Sequence, residues 1–507
     1  MLARVQSYLL MGIDAAPCEI EVDVDRTGLE RQTIVGLPDA GVKEALERVR
    51  AALMNAGFFF PQGRVLINLA PADVRKEGPV YDLPIAIGLL ANLGVVRPGG
   101  QRDGFRLDDY LVAGELALDG RTRPIKGAIA LASLARARGA RGVILPAENA
   151  GEAALVSGVE AIGVRTLTEV VGLLTGEIEP PPHPTPDVAS MLATAEAPVD
   201  FREVRGQESV KRAMVIAAAG AHNILMLGPA GTGKTMMAKA LPGILPPLTP
   251  DEAIEITRLY SAAGQLPPGV GLVTRRPVRT PHHTASGAAI VGGGIIPRPG
   301  EISLAHHGVL FLDELPEFPK FVLETLRQPM EDHVVTIARS HGSIRFPASF
   351  MLVAAMNPTP KGDTPVGEFG RREMDRYLSR LSTPLLDRID LHVEAPGVGW
   401  KELSKAPTGT PSATMREQVA AARRRMLERQ GTPNARLSGK QLDTLAPLDD
   451  PAKSLLGQAL TELGLSARAY DKIRRVSRTL ADLEDADAIT QAHIAEAIGY
   501  RLLDRKI

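Results

Sequence analysis

The sequence predicts an α/β protein that ends in an all-helical region, with about three domains along its 507 residues. Strand and helix signals alternate up to about residue 177. A glycine-rich loop then connects an apolar strand to a helix in the middle of the chain. From about residue 414 onward, only helical periodicity is visible. Residues 179–186 are a stiff proline-rich stretch that no helix or central strand could contain, and a segment of small residues follows to about Pro198, so we predict a linker at 178–199.

The predicted elements follow in order along the chain. In the first region, residues 64–69 and 142–145 are typical of strands, and residues 43–55 and 127–138 are typical of amphipathic helices. The middle region gives helix 210–219, strand 223–227, helix 252–260, a hairpin of 334–339 and 343–346, and strand 351–355. The last region gives helices at 414–430, 451–464, 466–484 and 490–503.

Composition limits the possible partners and compartments. With 58 basic and 59 acidic residues the net charge is −1, so any nucleic acid must be bound by a local basic surface. Cys18 is the single cysteine, which excludes an internal disulfide framework and a cysteine-only zinc site. There is no run of about 18 apolar residues and no signal-peptide layout. We therefore expect a cytoplasmic protein with no membrane segment.

The glycine-rich loop matches the complete G-x-x-x-x-G-K-[ST] pattern. It consists of Gly228, Pro229, Ala230, Gly231, Thr232, Gly233, Lys234 and Thr235. Its glycines allow backbone N–H groups to surround phosphate oxygens at the start of a helix. We expect Lys234 to reach the β- and γ-phosphates and the Thr235 hydroxyl to bind Mg²⁺.

A second motif follows at residues 309–314, where an apolar strand ends in two carboxylates. Asp313 is suited to hold the metal, and Glu314 is suited to orient water. A phosphate-binding loop followed by such a strand predicts a protein that binds and hydrolyses a nucleoside triphosphate, with ATP and Mg²⁺ as the expected ligands.

Three further residues complete a candidate site. Asn357, at the end of a strand, is suited to sense the γ-phosphate. Arg388, just after a helix, could enter a neighbouring subunit's site and stabilise charge there, or could form a surface ion pair. Arg468 could contact the phosphates from the same chain, but it has close competitors in Arg474, Arg475 and Arg478.

Nearly the whole chain resembles the magnesium-chelatase-like AAA+ ATPases of the ComM/YifB type. The most specific segments are residues 281–284, 292–294, 297–318 and 384–390. The resemblance implies a Lon-protease-like (ribosomal S5 domain 2-like) amino-terminal domain at 1–177, an AAA+ P-loop core with a chelatase-type insert at 200–397, and a chelatase-like helical lid domain at 398–507.

The resemblance also implies a function. Members of this type are expected to form a hexameric ring, a homo-oligomer that moves on single-stranded or branched DNA and promotes branch migration during recombination of incoming DNA. ATP would bind between subunits. Gln207 stands where such ATPases contact adenine, although it could equally serve only to begin a helix.

The sequence departs from the family pattern after Asn357 and, in a minor way, at Ser382-Thr383-Pro384, and its first domain departs from the Lon proteases. The stretch after Asn357 lacks the usual cysteine cluster, so we expect no zinc there. Val80 stands where Lon proteases have their serine, and valine has no nucleophile. We therefore expect the first domain to be proteolytically inactive, acting as a structural or DNA-engaging collar.

The best candidates for DNA contact are Arg339, His341 and Arg345 of the hairpin, together with the insert at 275–298. Six copies would form a cationic circle around a phosphate backbone, whereas the simpler alternative is a solvated hairpin. The adjacent histidines 282–283 and 306–307 do not form a chelate by themselves. A hydrogen-bonded role beside the nucleotide, or a contact with the pore ligand, suits them better.

Three other functions remain open from the sequence. The protein could be a chelatase motor that inserts a metal into a tetrapyrrole, because its core resembles that class. It could be an ATP-dependent protein-remodelling factor, or a nucleotide-gated scaffold without motor activity.

Overall fold

The computed structural model describes residues 2–27, 29–97, 106–179, 181–193, 199–294, 297–339, 342–359, 367–397, 409–501 and 503. Within these ranges the strands are β1 (Ala3–Met11), β2 (Asp14–Asp25), β3 (Arg31–Val35), β4 (Arg64–Ala70), β5 (Tyr110–Val112), β6 (Glu115–Leu116), β7 (Thr122–Arg123), β8 (Gly142–Pro146), β9 (Glu160–Val164), β10 (Ile224–Leu227), β11 (Val278–Arg279), β12 (Gly292–Gly293), β13 (Arg298–Pro299), β14 (Val309–Leu312), β15 (Val334–Arg339), β16 (Gly342–Pro347), β17 (Met351–Met356) and β18 (Leu391–Glu394).

The α-helices in the same ranges are α1 (Ala40–Lys43), α2 (Ala45–Asn55), α3 (Asp82–Asn92), α4 (Ala128–Ala137), α5 (Ala147–Ala153), α6 (Leu167–Thr175), α7 (Val188–Ala193), α8 (Glu208–Gly220), α9 (Lys234–Ala240), α10 (Pro250–Ala263), α11 (Gly287–Val291), α12 (Glu301–Leu304), α13 (Lys320–Thr325), α14 (Arg327–Asp332), α15 (Gly367–Leu378), α16 (Thr383–Leu386), α17 (Ser412–Gln430), α18 (Gly439–Leu445), α19 (Asp450–Leu463), α20 (Ala467–Leu483) and α21 (Gln491–Gly499). The protein is thus mixed α/β, as predicted, and the structure adds that it contains parallel sheets.

The chain divides into two compact units. The first contains residues 1–191 together with 250–274, and the second contains 192–249 and 275–507. The inclusion of α10 in the first unit was not suggested by the sequence. Contacts within the first unit explain this assignment. The Ser261 hydroxyl of α10 donates a hydrogen bond to the buried carboxylate of Glu152.

The first unit is built on two sheets. One has the order β1-β2-β4-β3, in which β3 is parallel to β4 and the other pairs are antiparallel. The other is the parallel sheet β5-β8-β9. Helix α3 is apolar and buried, and it starts at Asp82, whose carboxylate accepts from the Arg48 guanidinium at 2.9 Å. Burial raises the pKa of Asp82 to about 6, despite that partner.

The second unit is built on a five-stranded parallel sheet with the order β11-β14-β17-β10-β18. Its apolar strands are buried on both faces, as parallel strands usually are. The same hydrophobic core continues into the helices after residue 412. The separate hairpin β15–β16 was predicted, but β16 begins one residue earlier than expected, at Gly342, and Thr336 lies opposite Arg345.

Local sequence signals account for the limits of the carboxyl-terminal helices. Ser466 accepts a hydrogen bond from the Ala469 amide at the start of α20, and Asp449 likewise accepts from Ala452 at the start of α19. Gly431 and Gly464 adopt the left-handed conformation that ends α17 and α19. These helices were predicted, although α21 ends earlier than expected. Several other helices, including α3, α5, α6, α7, α15 and α18, were not predicted, and α7 lies within the segment predicted as a linker.

Candidate functional site

The candidate site lies at one edge of the second unit's sheet. Parallel strands β10, β14 and β17 are neighbours, with Leu227 opposite Met356 and Leu312 opposite Ala354. The carboxyl ends of neighbouring parallel strands meet at the same edge. The glycine-rich loop after β10, the two carboxylates after β14 and Asn357 after β17 are therefore brought together.

The loop needs glycine at three positions for two different reasons. Gly231 and Gly233 have φ angles of 79° and 85°, in the left-handed region that other residues rarely adopt. Gly228 instead passes close to another backbone, because an added Cβ atom would lie 2.1 Å from the Ala395 carbonyl oxygen. The sequence pattern requires Gly228 and Gly233, whereas Gly231 stands at one of its variable positions.

Lys234 is held inside the loop. Its ammonium group donates to the carbonyl oxygens of Gly228 and Pro229, each at 2.8 Å, and to the Asn357 side-chain oxygen at 3.2 Å. Burial lowers the pKa of Lys234 from its ordinary value, and Asp313 partly opposes this effect. The lysine thus connects the loop directly to the end of β17.

Thr235 and Asp313 form the pair suited to a metal ion. The threonine hydroxyl donates to one carboxylate oxygen at 2.8 Å, while the other accepts from the Glu314 amide at 3.0 Å. A hydroxyl and a carboxylate are hard oxygen donors, which Mg²⁺ prefers together with phosphate oxygens and water. The donor set therefore fits a magnesium–nucleotide complex.

Glu314 has a different environment from its neighbour. Its backbone is left-handed, with φ of 52°, at the start of the 3₁₀ turn Leu315–Glu317. One carboxylate oxygen lies 3.3 Å from Nδ1 of His283. The sequence analysis named a hydrogen-bonded role beside the nucleotide as one possibility for this histidine, but nothing in the sequence pointed to Glu314 as its partner.

Gln207 begins α8 in the left-handed conformation without capping it through its side chain. Its amide nitrogen donates to the Pro396 carbonyl at 2.7 Å and approaches the Thr232 carbonyl at 3.4 Å. The buried side-chain oxygen has no hydrogen-bond partner among the described residues. An unpaired acceptor beside the phosphate loop is chemically suited to an amino group such as that of adenine.

Arg388 is paired within its own protomer. It follows α16, and its side chain is only 10% exposed. The guanidinium donates to the Pro384 carbonyl at 2.6 Å and lies 2.7 Å from a carboxylate oxygen of Glu331. The structure thus contains the ion pair that the sequence left open as an alternative, and the arginine is buried rather than displayed.

Arg468 differs from the arginines that compete with it. It is 61% exposed, and its nearest carboxylate, on Asp387, is 3.9 Å away. The competitors make hydrogen bonds among the carboxyl-terminal helices: Arg474 with Asp443 and Leu442, Arg475 with Leu437, and Arg478 with Asp482 and Asp487. Arg468 is thus the one of these four that remains accessible.

A buried carboxylate that the sequence did not single out anchors the segment of Arg388. Asp390 accepts from the Asn223 amide at 2.9 Å and forms an ion pair with Lys472. Burial alone would raise the pKa of Asp390, but Lys472 and His222 hold it far below its ordinary value. Sequence alone gives no signal for this pairing, because the partners are distant in the chain.

The proposed DNA-contacting hairpin is only partly described. Arg345 is exposed on β16, and the backbone of Arg339 ends β15. The side chain of Arg339 and all of His341 lie outside the described residues. In the part of the chain that is described, every helix is too short or too polar to cross a membrane.

Comparison with known families gives matches along most of the chain. Residues 200–403 match the family described as "Magnesium chelatase, subunit ChlI". Residues 20–149 match "Subunit ChlI of Mg-chelatase", and residues 409–501 match "Magnesium chelatase, subunit ChlI C-terminal".

Comparison with individual proteins gives similarity over nearly full length. The chain is 46% identical to Competence protein ComM of Haemophilus influenzae over 510 residues, which cover 99% of this chain and 98% of that protein. It is 43% identical to YifB of Escherichia coli over 511 residues, with the same coverage of both chains. The magnesium-chelatase 38 kDa subunit of Cereibacter sphaeroides is 26% identical over 334 residues, covering 60% of this chain and 92% of that one.

Proposed function

The chain belongs to the magnesium-chelatase-like AAA+ ATPases of the ComM/YifB type, and we propose that it is a ring-forming ATPase that couples ATP hydrolysis to movement on DNA, most specifically branch migration. The observation that carries the ATPase part is the meeting of Lys234, Asp313 and Asn357 at one sheet edge. The DNA part is supported by the full-length similarity to a protein named for competence, the uptake of external DNA.

The proposed chemistry is electrostatic and positional. Lys234 neutralises charge on the phosphates, and the Asn357 amide hydrogen-bonds to the γ-phosphate. Thr235 and Asp313 hold Mg²⁺, which supplies further neutralisation of phosphate charge. Glu314 accepts a hydrogen bond from the attacking water and aligns it.

Arg388 completes the site from the next protomer. An active site shared in this way is a head-to-tail contact, which closes into a ring when the rotation between subunits permits. Because Arg388 is paired with Glu331 in its own protomer, we propose that it exchanges this carboxylate for the neighbour's phosphate when the ring assembles. Arg468 contacts the phosphates from the same chain, and its exposure supports this role.

The domain division and compartment are part of the proposal. We assign residues 1–177 to a Lon-protease-like collar without proteolytic activity, 178–199 to a linker, 200–397 to the AAA+ core and 398–507 to a helical lid. The family matched at residues 200–403 begins with the proposed core, and the one matched at residues 409–501 lies within the proposed lid, which supports these two divisions. We place the protein in the cytoplasm and propose no zinc after Asn357, where residues 360–366 lie outside the described part of the chain.

The test is the rate of ATP hydrolysis with and without single-stranded and four-way DNA, at low salt, for the native chain and Lys234→Ala. We expect Mg²⁺-dependent turnover that rises with DNA and is lost in the variant. Turnover without any stimulation by DNA would contradict the DNA-motor part and leave the ATPase assignment intact.

A second candidate function is chelatase-type metal insertion into a tetrapyrrole, favoured by the three matched families. The magnesium-chelatase relative covers only 60% of this chain, whereas the competence protein covers 99%. Stimulation of ATP hydrolysis by a porphyrin, with none by DNA, would favour this second function.

A further inference from the structure

His283 and Glu314 follow different strands of the same sheet. Strand β11 is paired with β14 in parallel, with Arg279 opposite Leu310. The segment after β11 therefore leaves the sheet at the edge where the carboxylates follow β14. This register, rather than closeness in sequence, places the imidazole Nδ1 atom 3.3 Å from the Glu314 carboxylate.

The imidazole ring of His283 lies against two other rings. It meets Phe318 in a T-shaped arrangement, at a centroid distance of 6.3 Å and an interplanar angle of 81°. The His282 ring lies at a centroid distance of 4.1 Å, tilted by 33°. Packing of this kind limits the orientations of the ring, so the nitrogen facing Glu314 has a defined direction.

The two adjacent carboxylates have separate partners. Asp313 accepts from the Thr235 hydroxyl and from the Glu314 amide. Glu314 turns away from that pair toward His283, and its side chain is 47% exposed. A half-exposed glutamate with three rotatable bonds needs an external contact to keep one orientation. The histidine supplies that contact.

We propose that His283 is a positioning residue that holds the Glu314 carboxylate in the orientation from which it aligns the attacking water. This inference rests on the proposed ATPase function. Without the imidazole the carboxylate samples other rotamers, and a displacement of about 1 Å at a reacting group costs on the order of 100-fold in rate. Nucleotide binding is unaffected, because the phosphates are bound by the loop and not by this pair.

The test compares His283→Ala with the control variant His183→Ala in the full-length chain. His183 is the control because it is an exposed histidine of the first unit and lies outside the residues proposed for the site. We expect His283→Ala to lower kcat by about 10- to 100-fold with little change in KM for ATP. His183→Ala should keep nearly the full rate, and His283→Gln, which retains an N–H donor, should recover part of the rate.

A double variant separates positioning from a general structural effect. In a Glu314→Gln background, His283→Ala should cause little further loss, because the group that it positions is already removed. An equal loss in both backgrounds, an unchanged kcat in His283→Ala, or a change confined to KM would each overturn the inference. If Lys234→Ala and Glu314→Gln hydrolyse ATP as fast as the native chain, the proposed function itself fails.

Discussion

Lys234 donates a hydrogen bond to the side-chain oxygen of Asn357 across 3.2 Å, so the phosphate-binding loop and the end of β17 are joined directly. The three protons of the ammonium group are directed to three oxygens of the protein. A γ-phosphate that enters the site must therefore compete with two carbonyls and an amide for the same donor. The stronger charge of the phosphate makes that exchange favourable.

The first prediction concerns this lysine. Lys234→Ala should lower ATP turnover by roughly 100-fold or more, because a preorganised cation at the phosphates is removed. The matched control is Lys239→Ala on the same helix, whose side chain is exposed. The control should retain nearly full activity in a steady-state phosphate-release assay. Equal losses in both variants would argue against a specific role for Lys234.

The second prediction tests whether the site is shared between protomers. Arg388→Ala and Lys234→Ala chains should each be inactive alone. Mixed in equal amounts, they should regain activity, because about a quarter of the interfaces pair an intact Lys234 with an intact Arg388 by random assortment. The measurement is ATP turnover of the mixture against each variant alone. A mixture no more active than its components would contradict catalysis by Arg388 in trans.

The third prediction is a pH dependence of stability centred on Asp390. The pKa of this carboxyl is depressed in the folded protein by Lys472 and His222. Such a group stabilises the fold above the pKa of the unfolded chain, about 3.9, and its contribution is lost as the pH falls toward the folded-state value. We therefore expect the free energy of unfolding to decrease below about pH 5. The decrease should be smaller in Asp390→Asn.

At pH 7 the same substitution should lower the free energy of unfolding by about 3–5 kcal/mol, since it leaves the Lys472 ammonium without its buried partner. Asp443→Asn is the control, because that carboxylate is exposed beside Arg474 and should contribute about 1 kcal/mol or less. Denaturant titrations at pH 7 and pH 4 measure both effects. If the free energy of unfolding falls equally between pH 7 and pH 4 in the native and Asp390→Asn chains, this carboxylate is not the source of the decrease.

The fourth prediction contrasts two glycines. Gly228→Ala should destabilise the protein and abolish nucleotide binding, because the new methyl group would overlap the Ala395 carbonyl. Gly457→Ala, on the exposed face of α19, meets nothing within 4 Å. That change should raise the free energy of unfolding by about 0.5–1 kcal/mol, since alanine favours a helix over glycine. Thermal unfolding measures the stability of both variants. A lower unfolding temperature in Gly457→Ala than in the native chain would contradict the open space around Gly457.

The elements predicted correctly were those with strong local periodicity or a fixed turn chemistry. Strand β10, helix α9 and the existence of the β15–β16 hairpin depend on neighbouring residues, so a local pattern suffices. Helix α15 was missed because it carries many charged residues and follows a proline- and glycine-rich stretch. Helix α18 was missed because it is short, although its Ser438–Gln441 capping box is a recognisable signal.

The sequence by itself determined which chemical groups the protein has and which of them end strands of one parallel sheet. The meeting of these groups follows from that, because the ends of neighbouring parallel strands lie at the same edge of a sheet. The groups are the loop at 228–235, the carboxylates at 313–314 and Asn357. Only the tertiary structure decided the pairs His283–Glu314, Arg388–Glu331 and Lys472–Asp390. Their partners are far apart in the chain, and strand register and helix packing, which no local pattern encodes, bring them within hydrogen-bonding distance.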